Sequence, residues 1–428
     1  MDQSSLIRVA LLISMYFPPE PGGGAMTAFN RASILHKIGY RVFVLCGFPC
    51  YPNGKVIQQK YRGKFFYIEK MDDFTLIRFR LLPLASKGYL RRFILFVNFS
   101  FLSLIWLPKV LRICSNTELV YALAPIMFSS PIGFCYSKIT RAFFIYEVSA
   151  FWPEELVAIK SNIYILFSFI GKIFAKVSYT FPDMLVVISN SAARFIVDNY
   201  HPKISVYPLP IGVDPDRYPT KDKESSRKKL IEKNILPVEL ERKFIVLYSG
   251  VITKVTKVEN LVYVANKLKE ENSIAFLVIG DGEEKEQLEI FRADNKINNL
   301  YIMPFQDGSL VAEIISAADL CVVPLSSESI YETTVPTKFF DYLACKKPQL
   351  GICSGEIANL MTSNNIGVAA KDGDIDKISD IILNLRDSPE LMDSMAQNSA
   401  QVLQKYTLTN LASKFYDALK IEISRRNK

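Results

Sequence analysis

The residues best suited to binding a ligand lie in segment 331–349, which reads YETTVPTKFFDYLACKKPQ. It follows a short apolar strand, and Pro336 with Thr337 is typical of the first turn of a helix. Free N–H groups at a helix start, the hydroxyl of Thr337 and the ammonium of Lys338 can together bind an anion. Asp341 lies on the same side of the predicted helix, where its carboxylate can accept hydrogen bonds from sugar hydroxyls. The pattern indicates a nucleoside diphosphate site, although most strand–helix units with an early lysine bind nothing.

The second half of the chain supplies the framework for this stretch. Apolar strands alternate regularly with helices, which predicts a parallel α/β sheet. The strands are expected at residues 244–250, 274–280, 300–305, 320–325 and 349–353, and the helices at 258–271, 283–291, 310–318 and 337–346. Because the carboxyl ends of parallel strands meet at one edge, Lys254, Lys257 and Lys338 are expected to converge there on a diphosphate. The same edge carries the further donor-site candidates Gly250, Asp281, Gly282, Phe305, Glu332 and Thr333.

The N-terminal half begins with a glycine-rich turn. A short apolar strand runs into YFPPEPGGGA at 16–25, and a helix predicted at 26–38 follows. Gly22, Gly23 and Gly24 allow a ligand to approach the backbone closely. The pattern is a Rossmann-like strand–helix–strand unit, but it is neither G-x-G-x-x-G nor a Walker A loop. A dehydrogenase or a P-loop NTPase is therefore disfavoured.

Acidic residues follow a later strand of the same half. Residues 147–155 read EVSAFWPEE and lie just past a predicted strand. Since ligand sites of α/β proteins lie at such strand ends, Glu147, Glu154 and Glu155 are candidates for a base near an acceptor. An ordinary loop is the alternative explanation for each of them. Trp152 is a candidate contact to an acceptor or a membrane.

Two apolar segments, 93–107 and 163–177, are accompanied by basic residues. The first is shorter than the roughly 20 residues that a membrane-spanning helix needs, and polar side chains interrupt it. It is predicted as a buried helix. The alternative is a helix partly exposed at a membrane surface, with Arg91 and Arg92 at the phosphate layer. Residues 1–8 are polar, so no signal peptide is expected.

The composition fits a folded chain with an anionic partner. Of the 428 residues 50% are hydrophobic, and the net charge is +8 with a pI near 8.9. Seven scattered cysteines without a CxxC pair predict reduced thiols and a cytoplasmic protein. Two histidines leave little for zinc chemistry or a histidine-based triad, so no metal or other cofactor is expected. Basic residues are not interleaved with aromatic ones in a single patch, so nucleic acid is not an expected partner.

Prolines cluster near the middle of the chain and predict a boundary between two domains there. The expected order is an N-terminal acceptor domain, a linker and a C-terminal donor domain, with a final helix closing the first domain, at residues 1–200, 201–222, 223–405 and 408–423 respectively. Asp214 and Asp216 form a D-x-D within the linker. Such a pair can hold a metal–diphosphate, but in a linker it is more typical of turn chemistry.

With these motifs assembled, nearly the whole chain resembles a GT-B glycosyltransferase. The similarity is to the large retaining family 4, which includes sucrose synthase-like and bacterial polysaccharide enzymes, and more narrowly to the O-antigen and capsule transferases typified by N-acetylfucosamine transferases. It rests on YFPPEPGGGA, EVSAFWPEEL, LPIGVD, YSGVITKVTKVENL, VIGDGEEKEQL, AADLCVVPL and VPTKFFDYLACKKPQ. The resemblance implies two facing Rossmann-like domains with a central cleft, a nucleotide-sugar donor and retention of configuration.

The resemblance also assigns roles to individual residues. Pro336, Thr337 and Lys338 match the family's P-S-K, whose backbone holds the diphosphate. Asp341 matches the glutamate that binds the donor ribose. Lys254 stands where the family has a phosphate-binding cation, and Lys257 is a second candidate for that role. The three glycines at 22–24 would lie by the donor diphosphate and the acceptor, and Phe305 would border the base.

The chain departs from the family pattern near both sites. Thr333 occupies the position of the family's first carboxylate, with Glu332 displaced by one residue, and Asp341 replaces a glutamate. Val251 stands where the family has an arginine. Thr256 replaces a lysine, and Ser149 and Ala150 replace the family's Arg-Asp before the W-P-E motif.

Two hypotheses follow. The first is a metal-independent enzyme that transfers a sugar from a nucleotide diphosphate-sugar to a lipid-linked or saccharide acceptor in bacterial surface polysaccharide synthesis. It would act on the inner face of the cell membrane, as a peripheral cytoplasmic protein. The second, motivated by the departures, is a catalytically degenerate GT-B domain that binds a nucleotide or a partner protein at the membrane. A nucleotide-sugar epimerase, which shares the fold, is a weaker alternative.

Overall fold

The computed structural model describes residues 8–50, 54–56, 58–85, 89–123, 128–151, 154, 162–219, 221–306 and 308–426. The chain divides into two compact units. The first combines Met1–Ile211 with Leu408–Lys428, and the second is Gly212–Thr407.

In the described part of the first unit, eight strands form one sheet in the order β3-β4-β2-β1-β5-β6-β7-β8. All neighbouring strands are parallel except β3 and β4, which form an antiparallel pair at one edge. The strands are β1 (Arg8–Ile13), β2 (Tyr40–Gly47), β3 (Phe66–Met71), β4 (Phe74–Phe79), β5 (Thr117–Leu123), β6 (Phe143–Val148), β7 (Met184–Val187) and β8 (Val206–Pro208). Their nearly continuous apolar runs are typical of strands that are covered on both faces.

Helices cover both faces of this sheet. They are α1 (Gly23–Lys37), α2 (Tyr89–Ile105), α3 (Leu107–Ile113), α4 (Ser129–Thr140), α5 (Asn162–Ser178), α6 (Asn190–Tyr200) and, from the end of the chain, α15 (Leu408–Arg426). Leu411 and Phe415 of α15 are buried in one core with Ala28 and Ala32 of α1. The last helix therefore closes the core of the first unit.

The second unit holds a sheet of six described strands, all parallel, in the order β11-β10-β9-β12-β13-β14. The strands are β9 (Phe244–Ser249), β10 (Ile274–Ile279), β11 (Leu300–Met303), β12 (Leu320–Pro324), β13 (Gln349–Ile352) and β14 (Gly367–Ala370). The helices are α7 (Lys223–Glu232), α8 (Glu259–Lys267), α9 (Lys285–Asp294), α10 (Val311–Ala317), α11 (Thr337–Ala344), α12 (Glu356–Ser363), α13 (Ile375–Arg386) and α14 (Pro389–Tyr406). The α/β class predicted from the sequence is confirmed.

Residues 201–222 are not an unstructured connector. Their first part forms β8, which pairs with β7 and extends the sheet of the first unit. The boundary between the units falls between Ile211 and Gly212. Asp214 accepts a hydrogen bond from the backbone N–H of Asp216 and begins a short 3-10 helix, Pro215–Arg217. The prediction that this D-x-D is turn chemistry is therefore confirmed.

The apolar segment predicted as a buried helix is buried on only one side. In α2, Leu95 and Phe99 face the interior, whereas Phe101 is 62% exposed. Within the described residues, no single helix combines the length and hydropathy needed to cross a bilayer. The pair Leu90–Ile105 and Leu107–Ile113, bent by 62°, meets that criterion jointly by length and composition.

Candidate functional site

The candidate donor site is built around the start of α11. Pro336 precedes this helix in an extended conformation, and no described side chain caps the helix. The first backbone N–H groups of a helix have no acceptor within it, so those of Thr337 and Lys338 are available to an anion. Phe339 and Phe340 are buried on the other side and fix the helix against the core of the unit.

Lys338 extends from this helix start to the end of β9. Its ammonium lies 3.9 Å from the centre of the Tyr248 ring. A Cβ atom added to Gly250 would lie 3.0 Å from Lys338 Nζ. Burial lowers the pKa of Lys338 to about 7, although the nearby charge of Asp341 acts in the opposite direction. When no ligand is bound, the side-chain amine of Lys338 is therefore only about half protonated at neutral pH.

Asp341 lies one turn further along α11. Its Oδ1 accepts a hydrogen bond of 2.7 Å from the hydroxyl of Tyr218. Burial raises the pKa of Asp341 to about 6, while Tyr218, Arg217 and Lys338 act to lower it. One turn of helix thus carries a lysine and an aspartate whose pKa values are displaced toward each other. Such displaced pairs are typical of binding and catalytic sites.

The glycines near the start of α11 allow the loops after β9 and β10 to pack closely. The backbone at Gly250 has a φ of +151°, which favours glycine. A Cβ on Gly282 would lie 2.0 Å from the carbonyl oxygen of Ile252, so the loops after β9 and β10 touch at this point. The exposed Asp281 accepts a hydrogen bond of 2.8 Å from the N–H of Gly282 and shapes the same turn.

The two other predicted cations differ from Lys338. Lys257 forms an ion pair with Glu259 at 3.2 Å, and Glu284 and Asp372 add further negative charge around it. The predicted role of Lys257 as a second phosphate-binding cation stays a prediction. Lys254 lies exposed on the same loop, and its role as a phosphate-binding cation stays a prediction.

The residues before α11 are held by local hydrogen bonds. Ser354 donates a hydrogen bond of 2.9 Å to Glu332, and the buried hydroxyl of Thr333 donates to the carbonyl of Ile330 at 2.8 Å. Thr333 is therefore a packing residue, against its prediction as a donor contact. Phe305 lies partly buried just after β11, and its predicted contact with the base stays a prediction.

Glu147 is not an accessible base. Its side chain is fully buried, and both carboxylate oxygens accept hydrogen bonds from Arg31, at 2.7 and 2.9 Å. Tyr121 donates a third hydrogen bond to it. The same guanidinium donates to the carbonyls of Leu209 and Pro210. Through Arg31, Glu147 therefore links β6 to α1 and to the chain at Leu209 and Pro210. The prediction of Glu147 as a catalytic residue is wrong.

Glu154 has the surroundings of a reactive carboxyl group. One oxygen accepts a hydrogen bond from Tyr200, while Oε2 is buried and finds no partner among the described residues. Burial raises the pKa of Glu154 above its usual range. The neighbouring candidates Trp152 and Glu155 lie outside the described residues.

The glycine-rich turn opens α1. Gly22 has a φ of +110° and precedes the helix, so Gly23 and Gly24 form its first turn and are not a loop. A Cβ atom added to Gly22 would have no other atom within 4 Å. This leaves the start of α1 open for a ligand.

Tyr218 and Tyr248 were missed by the sequence analysis. Tyr218 lies in a proline-rich segment whose only signal was turn formation. Tyr248 reads as one more apolar residue of β9. In the described part of the chain, His, Cys, Asp and Glu side chains form no group of three or more that could hold a metal ion.

Residues 231–402, within the second unit, match the model of the family described as Glycosyl transferases group 1. The fold is that of GT-B glycosyltransferases, since solved structures of such enzymes cover nearly the whole chain.

Individual proteins show the extent of this similarity. Sucrose-phosphate synthase from Thermosynechococcus elongatus is 15% identical, with a TM-score of 0.77 and coverage of 98% of this chain and 100% of that one. HepE from Anabaena, solved in complex with UDP and glucose, is 13% identical, with a TM-score of 0.67 and coverage of 96% and 99%. The alpha-D-kanosaminyltransferase of Streptomyces kanamyceticus is 24% identical over 45% of this chain and 49% of that protein. The chain spans half or less of the length of the curated relatives it matches.

Proposed function

We propose that the protein transfers a sugar from a nucleoside diphosphate sugar to a lipid-linked or saccharide acceptor in the synthesis of a bacterial surface polysaccharide. The observation that carries this proposal is the pairing of Lys338 and Asp341 at the open start of α11. The match to the group 1 family model supports it, as do relatives whose names include a kanosaminyltransferase and a structure with UDP and glucose.

In this proposal the leaving diphosphate is held without a metal. The N–H groups of Thr337 and Lys338 donate hydrogen bonds to it, and the ammonium of Lys338 supplies positive charge. A diphosphate beside Lys338 favours the protonated lysine, so binding restores the charge that burial has partly removed. Because negative charge grows on the diphosphate as the glycosidic bond breaks, these donors stabilise an oxocarbenium-like transition state. Retention of configuration belongs to the proposal as well.

Asp341 would bind the ribose of the donor. An ionised carboxylate accepts hydrogen bonds from two adjacent hydroxyls, and Tyr218 holds the side chain in one orientation through its 2.7 Å hydrogen bond. On the acceptor side, Glu154 is the remaining carboxyl candidate. Burial raises its pKa, which makes the carboxyl group a better proton acceptor than an exposed glutamate.

A second function is favoured by two positions of the family pattern. Lys257 is paired with Glu259, and the uncharged Thr333 stands where the family has a carboxylate. A catalytically degenerate domain that binds a nucleotide without transferring its sugar would have these features. Donor hydrolysis measured alongside binding separates this function from the first.

A thermal-shift panel of UDP, GDP, ADP and their glucose or mannose conjugates, each with and without EDTA, tests the donor site. A ligand present at 100 times its Kd stabilises the folded state by about 2.7 kcal/mol, so a selective shift identifies the base. We expect one base to stabilise the protein equally with and without EDTA. Lys338→Met should abolish the shift, whereas Lys405→Met, at an exposed position of the same unit, should keep it. Absence of a shift with every nucleotide would refute the proposal.

A further inference from the structure

Two helices of the first unit expose apolar side chains on their outer sides. The exposed residues of α2 recur every three or four positions and so form one stripe along the helix. We define the docking patch by Leu90, Ile94 and Phe101 of α2 and Phe169, Ile170 and Ile173 of α5. Phe101 is 62% exposed and Phe169 is 64% exposed, values that are unusual for phenylalanine in a folded protein.

The two halves of the patch are neighbours. Phe128, at the start of α4, lies 5.8 Å from Phe93 of α2 and 5.2 Å from Phe174 of α5, measured between ring centres. The chain around α4 thus bridges the two helices. Exposed apolar side chains on two such neighbouring helices are typical of a site of protein or membrane interaction.

The charge of the surrounding chain selects between these partners. Residues 74–182 contain twelve Lys and Arg but only four Asp and Glu, and this excess equals the whole net charge of +8. Neither α2 nor α5 contains an acidic residue. Lys172 and Lys176 are exposed one turn apart on α5, beside its apolar residues, and Arg91 is exposed beside the stripe of α2. Apolar side chains bordered by these basic side chains complement an anionic lipid surface.

We propose that α2 and α5 dock the protein onto an anionic bilayer. The side chains of the docking patch would enter the boundary between headgroups and acyl chains, while Arg91, Lys172 and Lys176 contact lipid phosphates. Both helices lie in the plane of the interface and neither crosses the bilayer. This inference rests on the proposed lipid-linked acceptor, and its test measures binding without any sugar transfer, so either proposal can fail alone.

The test is flotation of the full-length chain with vesicles. Phosphatidylcholine vesicles are compared with an equimolar mixture of phosphatidylcholine and phosphatidylglycerol, each at low and high salt. We expect binding only to the mixture and release at high salt, because each basic side chain near an anionic surface contributes roughly fivefold to partitioning and salt screens this attraction.

Matched variants assign the binding to the patch. Phe101→Asp with Ile173→Asp should abolish flotation, whereas Val238→Asp with Ile290→Asp, at positions of the second unit with 66% and 54% exposure, should leave it unchanged. The nucleotide thermal shift should persist in both, which shows that the variants are folded.

The charges are tested in the same way. Lys172→Glu with Lys176→Glu should lower partitioning more than tenfold. Lys228→Glu in α7 with Lys233→Glu just after its end, both at exposed positions, should not. Three results would overturn the proposal: no flotation with either vesicle, binding that resists high salt and so indicates insertion of the bent pair of helices, or self-association in solution that the Phe101→Asp variant removes.

Discussion

Lys338 should make donor binding depend on pH. In the free protein its pKa is about 7, and a bound diphosphate requires the charged form. The protonated fraction falls from about three-quarters at pH 6.5 to about 3% at pH 8.5 when the pKa is about 7. Binding is then coupled to proton uptake, so the affinity for a nucleoside diphosphate sugar should fall about 25-fold over this interval.

Isothermal titration across this pH range provides the assay. A nucleoside diphosphate sugar is the correct ligand because its diphosphate loses no proton in this interval. Asp341, with a pKa of about 6, is already mostly ionised at the lower limit. Its titration would raise the affinity by only about 1.3-fold and cannot hide the effect of Lys338. Repeating the titration in buffers with different ionisation enthalpies counts the protons taken up.

Two variants separate the charge from its titration. Lys338→Arg keeps a positive charge at every accessible pH, so the affinity should no longer depend on pH. Lys338→Met should lose affinity at the lower limit and also lose the pH dependence. A wild-type affinity that is constant from pH 6.5 to 8.5, or a dependence that persists in Lys338→Met, would refute the role given to this ammonium.

Three further predictions concern stability and the loop after β9. Arg31→Met should lower the free energy of unfolding in urea by roughly 3–5 kcal/mol, because it leaves the buried charge of Glu147 unpaired, and adding Glu147→Met should recover most of the loss. Gly250→Ala should abolish the nucleotide thermal shift, since its φ is +151° and the new Cβ would lie 3.0 Å from Lys338 Nζ. Gly373→Ala, at a φ of +86° with no atom within 4 Å, should keep that shift. Lys338→Met should raise the free energy of unfolding by on the order of 2–4 kcal/mol at a pH well below 7, where the lysine is charged in both the folded and the unfolded state, and by less as the pH rises above 7. A gain that is the same at every pH would contradict the lowered pKa.

The sheet of the second unit could be predicted because its strands are continuous apolar runs between turn residues. The predicted strands at 244–250 and 274–280 agree with Phe244–Ser249 and Ile274–Ile279 to within one residue. The start of α11 was predictable for a local reason too, since Pro336 cannot continue a preceding hydrogen-bonded helix but can begin one. Features of this kind depend only on a few consecutive residues, so the sequence alone predicts them.

Contacts between distant residues could not be predicted in this way. Tyr218 and Asp341 are 123 positions apart, and Arg31 and Glu147 are 116 positions apart. Nothing in either segment indicates its partner. Glu147 therefore read as a free carboxylate at a strand end, although the fold places a guanidinium against it. In the same way, the apolar residues of α2 predicted burial, because a sequence that is apolar on both sides of a helix does not show which side remains exposed.

The state of Lys338 predicts nucleotide binding but does not decide between an active enzyme and a degenerate domain. A partly buried ammonium with a pKa near 7 destabilises the free protein, and a methionine of similar length would fill the same space without that cost. A diphosphate bound beside Lys338 would offset this destabilisation. Nucleotide binding is therefore expected under both hypotheses. What distinguishes them is the acceptor side, where Glu154 holds a buried carboxylate oxygen without a partner among the described residues. Glu154→Gln should leave the nucleotide thermal shift intact. If the wild-type protein binds the nucleotide but does not hydrolyse the donor, the degenerate domain becomes the better description. Donor hydrolysis by the wild type that Glu154→Gln greatly reduces supports the enzyme and the role of Glu154, whereas hydrolysis that the substitution leaves unchanged refutes that role.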